Sequence, residues 1–172
     1  MIKTLLLPVI GLALVGMLAS CSSDSDPTEP ETPAGPTGWV WQNPLPQGND
    51  LSGVSFTDAN SGTAVGALGT IMRTTDGGVT WESQTSGTEF DLTGVSFTDA
   101  NTGTVVGDAG TILRTTDGGV TWVSQTSGTG DYLSDVSFTD ANNGAAVGEL
   151  GTILHTTDGG ATWGTQTSGT TV

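Results

Sequence analysis

Residues 51–91 read LSGVSFTDANSGTAVGALGTIMRTTDGGVTWESQTSGTEFD, and two further stretches follow in nearly the same words. Residues 92–132 read LTGVSFTDANTGTVVGDAGTILRTTDGGVTWVSQTSGTGDY, and residues 133–172 read LSDVSFTDANNGAAVGELGTILHTTDGGATWGTQTSGTTV. The copies register without a gap at a period of 41 residues, a length suited to a propeller blade or a solenoid unit. Within a copy, Val54 and Phe56 alternate with Ser55 and Thr57, the two-residue period of a half-buried strand. Turn-forming clusters stand at Asp58-Ala59-Asn60-Ser61-Gly62, Gly66-Ala67-Leu68-Gly69, Asp76-Gly77-Gly78 and Ser86-Gly87. They divide the copy into four short strands: one carrying Val54 and Phe56, one through Ala64 and Val65, one over Thr70–Thr74, and one around Val79–Gln84. Four antiparallel strands in about 40 residues describe one blade. Helical solenoids need apolar residues every 3.6 positions, and the copies show no such spacing. The expected fold class is all-β and β-propeller-like: three four-stranded blades forming an open arc or partial propeller.

The segment Thr75-Asp76-Gly77-Gly78-Val79-Thr80-Trp81 recurs at 116–122 and 157–163. Its physics is structural. An Asp side chain accepts hydrogen bonds from backbone N–H groups one to two residues on, closing a turn. Gly78, Gly119 and Gly160 supply the positive φ that a tight hairpin needs. Trp81, Trp122 and Trp163 are expected to pack between blades, each with an indole N–H that needs an acceptor. Thr80, Thr121 and Thr162 complete the motif. Because Asp76, Asp117 and Asp158 recur identically, they read as turn staples and not as catalytic acids. The segment resembles the Asp-box, or bacterial neuraminidase repeat, with the pattern Ser/Thr-x-Asp-x-Gly-x-Thr-Trp.

The whole copy, V-x-F-x-D-x-x-x-G-x-x-V-G-x-x-G-T-I-x-R-T-T-D-G-G-x-T-W, resembles the photosystem II assembly and stability factor family. The likeness runs from Trp39 to the C-terminus. The opening WVWQNPLPQGN at residues 39–49 also fits it, and Gln42 lines up with Gln84, so that Trp39–Gln42 reads as a spare fourth strand. The resemblance implies a β-propeller without catalytic residues or cofactor that docks proteins during assembly. It also implies a patch of propeller arginines that binds protein partners. Arg73 and Arg114 match that motif, and His155 departs from it. The residues alone favour a plainer expectation, in which each Arg pairs with a neighbouring carboxylate.

Three copies and one extra strand fall short of the 4–8 blades of closed propellers. Open edges invite pairing with another chain. Either the arc self-associates, with two arcs making six blades, or it persists as a short open stack.

Ahead of the repeats lies an address. Lys3 is followed by an apolar run from Leu5 to Leu18, about 14 residues and short of the ~20 that span a bilayer. Residues 1–20 therefore read as a signal peptide. Leu18-Ala19-Ser20-Cys21 resembles a bacterial lipobox, which implies a diacylglycerol on Cys21 and a membrane anchor that does not span. Residues 21–38 then form a lipidated Cys and a disordered acidic Pro/Ser/Thr linker, with no large apolar side chain to offset ordering entropy. The acids Asp24, Asp26, Glu29 and Glu31 fit either a surface-export signal or a solvated tether. The repeat domain occupies 39–172, with repeats 51–91, 92–132 and 133–172. The expected location is the bacterial cell envelope, at the outer membrane or cell surface.

Composition excludes several functions. The chain has 172 residues with 18 acids against three basic side chains, for a net charge of −15. Such a surface repels phosphate backbones and anionic headgroups, so no nucleic acid is expected as a partner. One Cys excludes a disulfide scaffold and a Cys-based zinc site. Sialidase chemistry would need three Arg on the substrate carboxylate and a Tyr–Glu pair. Beyond the signal segment only Arg73, Arg114 and Tyr132 are present. No carboxylate pair stands out for ordinary glycoside hydrolysis. The Asp58 turn, with its equivalents at Asp99 and Asp140, departs from an EF-hand loop, which wants Gly at position six and Glu at twelve. The Gly66-x-x-Gly69 turns hold Asp108 and Glu149 in later copies, which would repel phosphate, so they read as hairpins. No metal, cofactor or catalytic residue is assigned. The competing class is a glycan-binding or sialidase-like module, with glycan as the ligand.

Up-down connectivity puts the first turn and the Asp box at one end of a blade, and the second turn and the inter-copy connection at the other. The copies differ mostly at that second end: Ala67/Asp108/Glu149, Leu68/Ala109/Leu150, and Glu89-Phe90-Asp91 against Gly130-Asp131-Tyr132. Loops on a repeated scaffold carry binding. Phe90 and Tyr132 are candidate aromatic anchors there, flanked by Asp108 and Glu149. Drift in exposed loops would leave the same pattern.

Overall fold

The computed structural model describes residues 48–169. The expected signal peptide, lipidated Cys21, acidic linker and spare strand at Trp39–Gln42 all fall outside these residues. Each copy forms one four-stranded antiparallel sheet in sequential order. The first blade contains β1 (Leu51–Phe56), β2 (Gly62–Gly66), β3 (Thr70–Thr74) and β4 (Glu82–Gln84). The second contains β5 (Leu92–Phe97), β6 (Gly103–Gly107), β7 (Ile112–Thr115) and β8 (Val123–Gln125). The third contains β9 (Leu133–Phe138), β10 (Gly144–Gly148), β11 (Ile153–Thr156) and β12 (Gly164–Gln166). The leading strands of successive blades pack together, β1 against β5 and β5 against β9. The three sheets make an unclosed arc of propeller blades.

The core lies between blades, because a single sheet cannot bury both of its apolar faces. Val65 and Ile71 of the first blade meet Leu92, Val95, Val105 and Leu113 of the second. One repeat on, Val106 and Ile112 meet Leu133, Val136, Ala146 and Leu154. Full burial of each such aliphatic side chain contributes about 1.5–3 kcal/mol. Every blade therefore has a forward face, carrying the Val65 and Ile71 positions, and a backward face, carrying the Leu92 and Val95 positions. β2 and β6 are buried along their whole length.

Two local expectations are corrected. The fourth strand starts at Glu82, Val123 and Gly164, not near Val79, because the residues before it belong to the Asp-box turn. The second turn of the later copies is a short 3-10 turn, at Asp108–Gly110 and Glu149–Gly151, and not a plain hairpin. Its middle residue is left-handed although it carries a side chain: Leu68, Ala109 and Leu150 have φ of 55°, 54° and 54°. That conformation costs about 1–2 kcal/mol. Bonds from the connection to the next blade offset it. Gly69 and Gly110 donate their N–H groups to the Phe90 and Asp131 carbonyls, both at 2.9 Å.

Candidate functional site

The Asp box is a closed hydrogen-bond circuit, best seen in the second blade. The buried Thr115 hydroxyl donates to Asp117 Oδ1 at 2.8 Å and accepts the Gly119 N–H at 2.8 Å. Asp117 Oδ1 also accepts the Thr121 N–H at 2.9 Å, and Oδ2 accepts the Thr121 hydroxyl at 2.6 Å. The same circuit joins Thr74, Asp76, Gly78 and Thr80, and Thr156, Asp158, Gly160 and Thr162. The carboxylate thus reaches four residues on, not the one or two expected. The short-range turn belongs instead to Asp58, whose Oδ1 accepts from Asn60 and Ser61 N–H, and to Asp99 and Asp140 in the same manner. The two turns are joined where Gly77, Gly118 and Gly159 donate to the Asn60, Asn101 and Asn142 carbonyls.

Thr74, Thr115 and Thr156 were absent from the quoted seven-residue segment. Their signal was in its resemblance pattern, whose leading Ser/Thr stands two residues before the Asp. Donors to the ionised carboxylate hold the pKa of Asp76, Asp117 and Asp158 at about 2, with the hydroxyl and then the N–H of Thr80, Thr121 and Thr162 the largest causes. A carboxylate held ionised in this way has no proton to give as a general acid near neutral pH. Asp58 and Asp99 are lowered by the backbone N–H groups of their turns, and Asp140 first by Asn143. Among the described residues, no group of three or more His, Cys, Asp or Glu is placed to hold a metal ion.

Trp81, Trp122 and Trp163 meet Phe56, Phe97 and Phe138 edge-on, with centroids 6.1, 6.1 and 5.9 Å apart. Trp122 and Trp163 rest against the two inter-blade cores. Their indole N–H groups are buried without an acceptor among the described residues. Gly119 lies over the Trp122 ring with φ of +90°, a conformation in which a side chain would be strained.

Arg73 and Arg114 act on the carboxylates of Asp58 and Asp99 as the smallest of the causes that lower those groups, and both reach toward the following blade. Arg73 reaches forward to the next blade, where Nη2 donates to the Ala100 carbonyl at 3.4 Å and the guanidinium lies 6.0 Å from the Phe97 ring. Arg114 packs against the next Asp box, close to Gly159, and its buried Nη1 has no partner among the described residues. His155 is exposed, and among the described residues no further blade follows it.

The opposite end of the arc is knit from the other loops. Asp108 and Glu149 N–H groups donate to the Asp91 and Tyr132 carbonyls. Thr152 donates its hydroxyl to Asp131 Oδ2 at 2.7 Å. Phe90, Tyr132, Leu68 and Leu150 are exposed along this end. A cleft of about 700 Å³ opens beside Phe90, with Leu113 and Trp122 on its apolar side and Ser86 and Ser127 on its polar side. The candidate residues thus divide: Phe90, Asp108, Tyr132 and Glu149 share this end, whereas Arg73, Arg114 and His155 lie toward the Asp boxes.

The family model for the Photosynthesis system II assembly factor YCF48 matches residues 37–124. The chain belongs to this family. Among solved structures, "YCF48 bound to D1 peptide" is 30% identical with a TM-score of 0.63, the match covering 70% of this chain and 41% of that one. YCF48 from Cyanidioschyzon merolae is 28% identical with a TM-score of 0.63, covering 71% of this chain and 41% of that one. The chain spans about two-fifths of the length of these YCF48 structures. No curated protein matches the sequence. The resemblance drawn from the repeat pattern and the three-bladed, all-β architecture both hold.

Proposed function

We propose that this YCF48-family domain is a non-enzymatic docking module that holds a segment of a protein partner during assembly, and that Cys21 anchors it by lipid to the cell envelope. The observation that carries the reading is the division of labour between the two ends. At one end the acids are consumed in turns. At the other, Phe90, Tyr132, Leu68 and Leu150 stand exposed beside an open cleft on a hydrogen-bonded rim. Aromatic side chains at a rigid rim are the usual anchors of a protein interface. The YCF48 structure solved with a D1 peptide supports a peptide as ligand class. The acidic pre-repeat segment would carry the module away from the membrane as a tether.

A D1 peptide titrated against the full chain by calorimetry tests the docking. Phe90→Ala with Tyr132→Ala should weaken binding at least about tenfold, with the thermal unfolding midpoint unchanged. Affinity equal to that of the unsubstituted chain would contradict the assignment. A glycan array read on the same protein separates the carbohydrate reading, because glycan binding without peptide binding would replace the docking role. Anchoring is read separately. Cys21→Ser should move the protein from the detergent phase to the aqueous phase, and unchanged partition would remove the lipid from the account.

A further inference from the structure

Each blade carries a cleft between the connection that enters it and its own fourth strand, and these clefts recur one repeat apart. Their floor is repeated chain: Gly69, Gly110 or Gly151 with the threonine that follows it. Two lining side chains change from copy to copy. They are Asn49 and Leu68 in the first cleft, Phe90 and Ala109 in the second, and Asp131 and Leu150 in the third.

These pairs decide what each cleft can offer. In the first, Asn49 Nδ2 donates to the Thr70 hydroxyl at 2.9 Å. In the third, the Thr152 hydroxyl donates to Asp131 Oδ2 at 2.7 Å. Phe90 has no polar group to play that part. Among the described residues, the equivalent Thr111 hydroxyl is therefore left without a partner. Ala109 is the smallest side chain of its set, and its cleft is the largest, about 700 Å³ against about 580 and about 240 Å³. No charged side chain lines this middle cleft, and Phe90, Leu113 and Trp122 give it apolar walls. Carboxylates stand on both sides of it, Glu89 in the first cleft and Asp131 in the third. The basic side chains of the repeats, Arg73, Arg114 and His155, lie toward the Asp boxes and cannot answer an acidic ligand here.

We propose that the middle cleft seats one large apolar side chain of the partner segment, and that basic side chains flank it, drawn to Glu89 and Asp131. The assignment rests on the docking reading above and adds the chemistry of the segment. The Phe90 ring and the Leu113 wall supply the buried contact that carries affinity. The Thr111 hydroxyl bonds the peptide backbone beside the seated side chain. The two carboxylates steer the segment and fix its register, and they turn away acidic segments.

Fluorescence anisotropy with the full chain and labelled synthetic peptides tests this. The first peptide carries one phenylalanine between lysines, the second replaces the phenylalanine with serine, and the third replaces the lysines with glutamates. The first should bind, the second at least about tenfold more weakly, and the third not at all. Two substitutions import what another copy of the repeat already tolerates, so the fold should hold, as an unchanged circular dichroism spectrum would show. Ala109→Leu narrows the cleft with a residue that adopts the same left-handed backbone at Leu68 and Leu150, with φ of 55° and 54°. It should weaken the first peptide at least about tenfold. Asp131→Asn keeps a partner for Thr152, as Asn49 does for Thr70, and removes one charge. It should weaken the first peptide about threefold and flatten its salt dependence. No binding of the first peptide would overturn the proposal. Equal binding of the first two would also overturn it, since that is general attraction to a chain of net charge −15. D1-peptide binding that is lost with Phe90→Ala and Tyr132→Ala together, yet unchanged in Ala109→Leu, would keep docking at this end and remove the middle cleft as its seat.

Discussion

Thr115→Val isolates the Asp-box circuit from everything around it. Valine keeps the volume and the branching at Cβ, so it fills the same buried space and keeps strand preference in β7. What it removes is one hydroxyl, which donates to Asp117 Oδ1 at 2.8 Å, accepts from the buried Gly119 N–H at 2.8 Å, and accepts more weakly from the Asp117 N–H at 3.3 Å. The Gly119 N–H is left without its acceptor, and a buried unsatisfied group of this kind costs about 1–3 kcal/mol. The Asp117 carboxylate loses one donor, but it faces water and keeps Thr121. The expected cost is therefore about 2 kcal/mol, most of it from the buried Gly119 N–H, because the Asp117 N–H belongs to an exposed residue and can turn to water. For a urea slope of about 2 kcal/mol per molar, the unfolding midpoint falls by about 1 M. Tryptophan fluorescence follows the transition, since Trp122 lies in the same turn. Thr116→Val is the control: its side chain is exposed, so its effect should stay within about 0.5 kcal/mol. If Thr115→Val shifted the midpoint no more than Thr116→Val does, the circuit would hold nothing together and the structural reading of the box would be wrong.

Two further outcomes follow from the same geometry. The carboxyl groups of Asp76, Asp117 and Asp158 have a pKa of about 2 in the fold against an ordinary value of 3.8. A lowered folded pKa gives stability that is fully present above 3.8 and is lost as pH falls toward 2. Urea midpoints should hold from pH 7 to pH 5 and drop steeply below pH 4, and a flat profile down to pH 2 would contradict this. Gly107 has an extended backbone, so the objection to a side chain there is space: a Cβ would land on the Asp91 carbonyl oxygen. Gly107→Ala should cost about 1–3 kcal/mol in chemical denaturation, and a cost below about 0.5 kcal/mol would show that the connection is not held against the sheet.

The blades were legible because each copy repeats its own evidence. A single Val54-Ser55-Phe56 alternation is weak, but three in register fix the strand and its inward face. The ends were legible from connectivity alone, since a meander of four strands puts alternate turns together. Three features were not. The start of the fourth strand was hidden because Val79-Thr80-Trp81 has good strand propensity, and the Asp76 carboxylate overrides it by holding the Thr80 N–H. The arginine partners were hidden because they lie in the next blade, 27 residues away for Arg73 and Ala100, and no pattern within one copy points there. Leu68 and Leu150 were read as variable loop positions. Nothing about leucine announces a left-handed backbone, which the bonds from the Phe90–Asp91 and Asp131–Tyr132 connections impose.

The central claim is that the three Asp-box carboxylates are spent on architecture. Carbon-13 NMR of the aspartate carboxyl groups, titrated between pH 6 and pH 1.5, reads this directly. Three resonances assigned to Asp76, Asp117 and Asp158 should titrate together with midpoints of about 2. A midpoint at or above 3.8 for any of them would mean a carboxyl free of its threonines and available for chemistry, and the account would fail at its base.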